Sequence, residues 1–125
     1  MKLTENFDSA EFKCNNGKRV PDEYMDNLQK LADNLQVLRD YVNAPIHVNS
    51  GYRSPAYNKS VGGARNSQHL IAKASDITIK GLTPKQVADT IEKLIKEGKM
   101  HNGGIGRYNT FTHYDVRDNK ARWNG

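Results

Sequence analysis

Apolar positions change period several times along the chain, and each change marks an element. After Pro21, Asp22 and Glu23, which suit the first turn of a helix, Leu28, Leu31, Ala32, Leu35, Leu38 and Val42 recur at steps of three and four. This spacing predicts an amphipathic helix over 21–43 that stops before Pro45. Ile46 to Ser50 alternates apolar and polar side chains, the two-residue period of a short half-buried strand. Ala74 to Ile79 alternates again, with β-branched residues ahead of Gly81, and predicts a second strand. Thr83, Pro84 and Gln86 then match a helix capping box, and Val87, Ala88, Ile91, Leu94 and Ile95 form the apolar stripe of a helix that ends near Gly98. Two more strands are expected, over 104–108 and 111–116.

Polar composition takes over between these elements. Residues 51–68 hold Gly51, Pro55, Gly62, Gly63 and several Ser and Asn, a long connection with room for a short helical turn after Ser54 and Pro55. Connections this long in compact domains usually carry function or move. Residues 1–20 read as an irregular arm that lays Phe7, Phe12 and Val20 on the core. The order helix, strand, long loop, strand, helix, strand, strand predicts a single α+β domain over 1–125, with a small, mostly antiparallel sheet packed against two main helices.

Charge and hydropathy narrow the function classes. The chain carries 19 Lys plus Arg against 14 Asp plus Glu, a formal charge of +5. The excess is modest, without a run of five or six basic residues, so a solvated basic surface is expected and no nucleic-acid partner. Mean hydropathy is −0.83, and no apolar run approaches the roughly 18 residues that a membrane span needs. One cysteine, Cys14, cannot close an internal disulfide and is expected to be structural. Met1 to Phe7 lacks the apolar core of a secretory signal, so an enzyme made in the cytoplasm and acting at the cell wall or periplasm would need another delivery route. A monomer is expected.

The candidate chemistry lies in three places. His69 ends the long polar loop, and Asp76 sits in a strand beside Ile77 and Ile79, where a buried carboxylate needs a partner that offsets its desolvation. A metal ion would do so. In the last predicted strand, His113 and Asp115 are two residues apart and project from one face. Two imidazoles and one carboxylate form a three-ligand set that leaves a tetrahedral position open, as in catalytic zinc sites. His47 alternates out of phase with Ile46 and Val48 and is expected to face solvent, and His101 to lie in a loop.

The residues around these positions carry a resemblance. Ser50-Gly51-Tyr52-Arg53-Ser54, then Ser67-Gln68-His69 with Ala74 and Asp76, then Phe111 to Arg117 resemble, in order, the zinc D-alanyl-D-alanine carboxypeptidase family of metallopeptidases, in its short phage-type branch. The likeness covers nearly the whole chain and implies a hedgehog/D-Ala-D-Ala-peptidase-like fold. It also implies a Zn2+-dependent peptidase acting on the peptide stems of peptidoglycan, as a D,D-carboxypeptidase or as an endopeptidase that cuts cross-links. His69, Asp76 and His113 would be the zinc ligands, and Arg53 would hold or polarise a substrate carbonyl or carboxylate. Ser67 and Gln68 would shape the loop carrying His69, with Tyr52 and Tyr108 lining the cleft.

Two departures from the family pattern bear on the chemistry. Ala72 stands where the family usually has Gly, which is easily accommodated only at negative φ. Thr110 stands where many members place an acidic general base, three residues before the last histidine. Asp115 is the expected replacement as catalytic base; its other roles would be to orient His113 or to pair with Arg117. The alternative reading is a zinc-binding or wall-binding module on the same fold, with little or no hydrolysis.

Overall fold

The computed structural model describes residues 1–125. Helix α1 spans Met25–Val42, led in by a 3-10 turn at Asp22–Tyr24. It ends at Asn43, whose φ of 49° is a left-handed cap that asparagine tolerates better than most residues. The leucines read from the period of the sequence, Leu28, Leu31, Leu35 and Leu38, are all wholly buried. Strand β1 is Ile46–Ser50, and the short helix α2, Pro55–Ser60, follows with the Ser54 hydroxyl accepting from the Tyr57 amide. Strand β2 is Ala74–Ile79, and helix α3, Pro84–Lys96, opens on the expected box between Thr83 and Gln86. Strands β3, Gly104–Arg107, and β4, Thr112–Asp115, come next.

A fifth strand, β5 at Ala121–Asn124, was not expected from the sequence. Ala121, Arg122, Trp123 and Asn124 alternate apolar and polar, but four residues at the end of a polar stretch are too short a run to mark a strand. The strand exists because it pairs in parallel with β3, a partner well removed along the chain. Arg122 fastens it from the side, donating from Nε and Nη2 to Glu92 at 2.9 and 3.0 Å and from Nη1 to the Gly103 carbonyl at 2.7 Å. The sheet order is β1-β2-β4-β3-β5, and every pair except β3 with β5 is antiparallel. The α+β class with a mostly antiparallel sheet is therefore as expected, one strand larger.

The pleat divides the sheet by function. Ile77, Ile79, Ile105 and Tyr114 join the core cluster with the helices and the arm. Alternate positions show the other face, and there the register lines up Ser50, Asp76, His113, Gly106 and Trp123 in one row across all five strands. Directly paired residues share a face. The polar row is thus a consequence of register, which local sequence does not display.

The arm and the long connection close over this face. Phe12 is wholly buried and its carbonyl accepts from the Tyr52 amide at 2.8 Å. A side chain at Gly51 would collide with the Phe12 backbone, so the close approach needs glycine there. No helix is long and apolar enough to cross a membrane.

Candidate metal centre and cleft

Asp76 and His113 are cross-strand partners in β2 and β4, so the antiparallel ladder sets them side by side. His69 arrives from outside the sheet on a 3-10 turn, Gln68–Ile71, capped by the Ser67 hydroxyl, which accepts from the His69 amide at 3.2 Å. Its carbonyl accepts from the Arg53 amide at 3.0 Å, tying the turn to the segment after β1. Ser67 thus shapes the loop that carries His69.

Ala72 closes this turn at φ 58°, in the left-handed region. The negative φ that would accommodate a non-glycine residue easily is not what the chain adopts: alanine occupies a conformation that favours glycine, at a cost of about 1 kcal/mol. The Ala72 and Lys73 amides still donate to the carbonyls of His69 and Gln68, and the methyl is buried in the core. These contacts oppose the local strain.

The three side chains converge on one point. His69 Nε2 lies 3.3 Å and His113 Nδ1 3.0 Å from the same Asp76 oxygen, Oδ1, and all three prospective donor atoms fall within 4.8 Å of one another. The far nitrogens fix the tautomers. His69 Nδ1 is 2.7 Å from the Gly51 carbonyl, which only accepts, so Nδ1 carries the proton. His113 Nε2 donates to Asp115 Oδ2 at 2.6 Å. A neutral imidazole in either of these tautomers turns a lone pair toward the Asp76 carboxylate, an arrangement that calls for a cation among the three; without one, His113 Nδ1 must carry a proton to hydrogen-bond Asp76 Oδ1.

The donor set fits zinc. A tetrahedral site with bonds of 2.0–2.1 Å has edges of about 3.3 Å, the scale of the spacings around Asp76 Oδ1, and two imidazoles with one carboxylate are characteristic catalytic zinc ligands. The local field agrees. Burial opposes charge on Asp76, but the neighbouring His113 and His69 outweigh it and hold the carboxyl well below the usual range. Burial likewise opposes charge on His113, yet Asp115 and Asp76 raise its pKa above the ordinary histidine value.

Asp115 lies beneath His113 and does not line the cleft. It is fully buried, and its carboxylate also accepts from the Gly104 amide and from the Arg117 amide, Nε and Nη2, at 2.7–3.1 Å. Burial would raise its pKa, but His113 and Arg117 hold it well below the usual carboxylate range. The group expected as catalytic base is thus saturated with donors and turned away from open space, a geometry that suits the orienting of His113. Gly104 makes the arrangement possible, since a side chain there would collide with the Asp115 carboxylate.

A cleft of about 560 Å³ opens over the three donors. Arg53 reaches into it, with Nη2 3.4 Å from Asp76 Oδ2, Nη1 3.4 Å from Asn58 Oδ1 and Nε 3.2 Å from Ser50 Oγ. All three contacts are long, so the fork is aimed but loosely held. Tyr108 lines the cleft and stacks on Phe111 at 4.4 Å. Tyr52 does not line it; that expectation is corrected, because Tyr52 is buried beside Tyr24. His101 faces away too, donating from Nε2 to the Arg117 carbonyl at 2.7 Å. His47 is exposed, and Thr110 lies exposed between β3 and β4.

Sequence reasoning missed Trp123 and gave Arg117 no place in the cleft. The Trp123 ring lies 4.9 Å from His113 and its Nε1 donates to the Tyr108 hydroxyl at 2.9 Å. Gly106, between Trp123 and His113 in the row, leaves the space that the indole crosses. A glycine inside an expected strand was the one available signal.

Comparison with known proteins bears on this arrangement. The chain is 37% identical over 97 residues to the probable peptidoglycan L,D-endopeptidase MepK of Haemophilus influenzae, covering 72% of this chain and 49% of that protein. It is 46% identical over 44 residues to the zinc D-Ala-D-Ala carboxypeptidase of Streptomyces albus G, covering 34% of this chain and 17% of that protein. The chain thus spans half or less of the length of these curated relatives. The crystal structure of the Serratia marcescens L-Ala D-Glu endopeptidase ChiX aligns over 77% of this chain and 87% of its own, with a TM-score of 0.45 and 18% identity. A family model described as Peptidase M15 matches residues 5–115, which takes in all three prospective ligands, and the chain belongs to the peptidase M15 family.

Proposed function

We propose that this protein is a zinc-dependent hydrolase of peptidoglycan stem peptides, with His69, Asp76 and His113 holding the metal. The observation that carries this reading is the convergence of two imidazole nitrogens on the Asp76 carboxylate, at 3.0 and 3.3 Å, on the floor of an open cleft. Zinc, when bound, supplies Lewis acidity that polarises a peptide carbonyl and makes water nucleophilic near neutral pH. The chain's residues do the rest. The Gly51 carbonyl fixes the tautomer of His69, and Asp115 fixes that of His113 while supporting its electron density from behind. Arg53 presents guanidinium donors to a substrate carbonyl or carboxylate. Tyr108, Phe111 and Trp123 give the peptide an aromatic wall and keep water from that side.

Endopeptidase action is the finer reading, supported by the cleft and by the activity for which the Haemophilus relative is named. A carboxypeptidase would differ in releasing a single terminal residue. Mass spectrometry of muropeptides digested by the zinc-loaded protein separates these outcomes. Cleavage inside a stem or cross-link supports the endopeptidase, loss of the terminal D-residue alone supports the carboxypeptidase, and no cleavage contradicts both.

One observation favours a second reading, a zinc-holding wall-binding module. Asp76 is the only carboxylate lining the cleft, and Thr110 holds the position where an acid was sought. Binding to intact sacculi without release of fragments supports that module.

A further inference from the structure

The segment after β4 contributes a group to the cleft that the proposed chemistry does not use. Arg117 spends Nε and Nη2 on Asp115, at 2.7–3.1 Å, while its Nη1 makes no hydrogen bond within the protein. The side chain is 30% exposed and lines the cleft. Its guanidinium also sits over the Trp123 ring, 5.1 Å from the centroid. One edge of the fork is thus pinned to a buried carboxylate and one face is braced by an indole, so the free donor is held in place before any ligand arrives. Such preorganisation reduces the entropy that binding must overcome. Arg117 and Trp123 both lie beyond residues 5–115, the stretch that matches the family model.

The charge balance says what this donor would take. Arg53, Asp76 and Arg117 are the charged side chains lining the cleft, with Asp115 buried below. Two guanidinium groups offset two carboxylates, so a divalent ion held with neutral imidazoles leaves the cleft net positive. A positive cleft in low-dielectric surroundings favours an anionic ligand, and a planar guanidinium edge favours a carboxylate.

We infer that Arg117 is a specificity-determining residue whose Nη1 receives a carboxylate of the substrate peptide. The inference rests on the reading of the cleft as a stem-peptide site. In that setting it selects stems with free carboxylates over stems in which those groups are amidated.

The test uses the zinc-loaded full chain and two synthetic stem peptides of one sequence, one with free side-chain and α-carboxylates and one with all of them amidated. Binding is measured by calorimetry and hydrolysis by chromatography. The wild type is expected to bind the free-acid peptide roughly 10- to 100-fold more tightly, the range of one to two charge-assisted hydrogen bonds. In Arg117→Gln the ratio should fall to within about threefold of unity. Arg117→Lys, whose single ammonium remains held by Asp115, should lose most of it as well. The ratio is the readout, because loosening Asp115 and His113 would weaken both peptides alike and leave it unchanged. A wild type without preference overturns the inference, as does either variant that keeps the full ratio. Equal binding with hydrolysis of both peptides removes the carboxylate subsite and leaves the peptidase reading standing. Carboxylate-dependent binding that Arg117→Gln abolishes, with no hydrolysis by any protein, supports the subsite and contradicts the peptidase.

Discussion

His113 Nε2 donates to Asp115 Oδ2 across 2.6 Å, and the carboxylate that receives this hydrogen bond has no exposed surface. The pair sets which nitrogen of His113 faces Asp76. On the proposed reading, Asp115 would act on a bound metal through the imidazole and would not exchange protons with substrate.

Replacement of Asp115 by Asn distinguishes these roles. The amide can still accept from His113 through its oxygen, but its NH2 then faces the Gly104 amide and the amide and Nε of Arg117. Zinc affinity is expected to fall roughly 10- to 100-fold, with hydrolysis falling in step and recovering when zinc is added in excess. Retained zinc affinity with a roughly 10²- to 10⁴-fold loss of turnover would instead assign Asp115 the base role. Competition against a zinc-responsive dye, run beside the kinetics, reads both quantities.

Arg53→Ala is expected to act on turnover. Its nitrogens lie 3.2–3.4 Å from their partners, so little of the fold depends on them. Loss of one donor to a developing negative charge typically removes about 2–4 kcal/mol of transition-state stabilisation. Zinc content should remain at the wild-type level while kcat/KM falls by roughly two to three orders of magnitude. Unchanged kinetics on a stem peptide would remove Arg53 from the substrate contacts.

Ala72 offers a test of the turn that carries His69. Glycine there relieves about 1 kcal/mol of left-handed strain, but it loses a buried methyl worth about 0.8 kcal/mol and gains unfolded-state freedom. Ala72→Gly should therefore fall within about 1 kcal/mol of wild type in chemical denaturation. Ala72→Val should lose at least about 2 kcal/mol, because a β-branched residue fits this φ poorly and overfills a packed site. A valine variant as stable as the wild type would contradict the left-handed geometry at φ 58°.

Much of this was legible in the sequence. The helices at Met25–Val42 and Pro84–Lys96 announce themselves because a stripe of apolar residues and a cap are local signals. The shared face of His113 and Asp115 follows from the strand period alone. The pairing of Asp76 with His113 is different in kind. It is set by the register between two strands separated by α3 and β3, and no local window contains it. Trp123 was illegible for the same reason: its strand is defined by pairing with β3, and its reach to His113 depends on the missing side chain of Gly106. The sign of φ at Ala72 was not legible, because the residue closes the turn that carries His69 in a left-handed conformation against its own preference.

The central claim, that the three converging side chains hold a zinc ion on which hydrolysis of stem peptides depends, is tested by one titration. Chelator-stripped protein is mixed with increasing zinc while cleavage of purified muropeptides is followed, with His113→Ala beside it. The account predicts no cleavage by the stripped protein, recovery that saturates near one zinc per chain, and no recovery in His113→Ala. Cleavage that persists in the stripped protein, or wild-type protein that holds one zinc and releases no product, would contradict it.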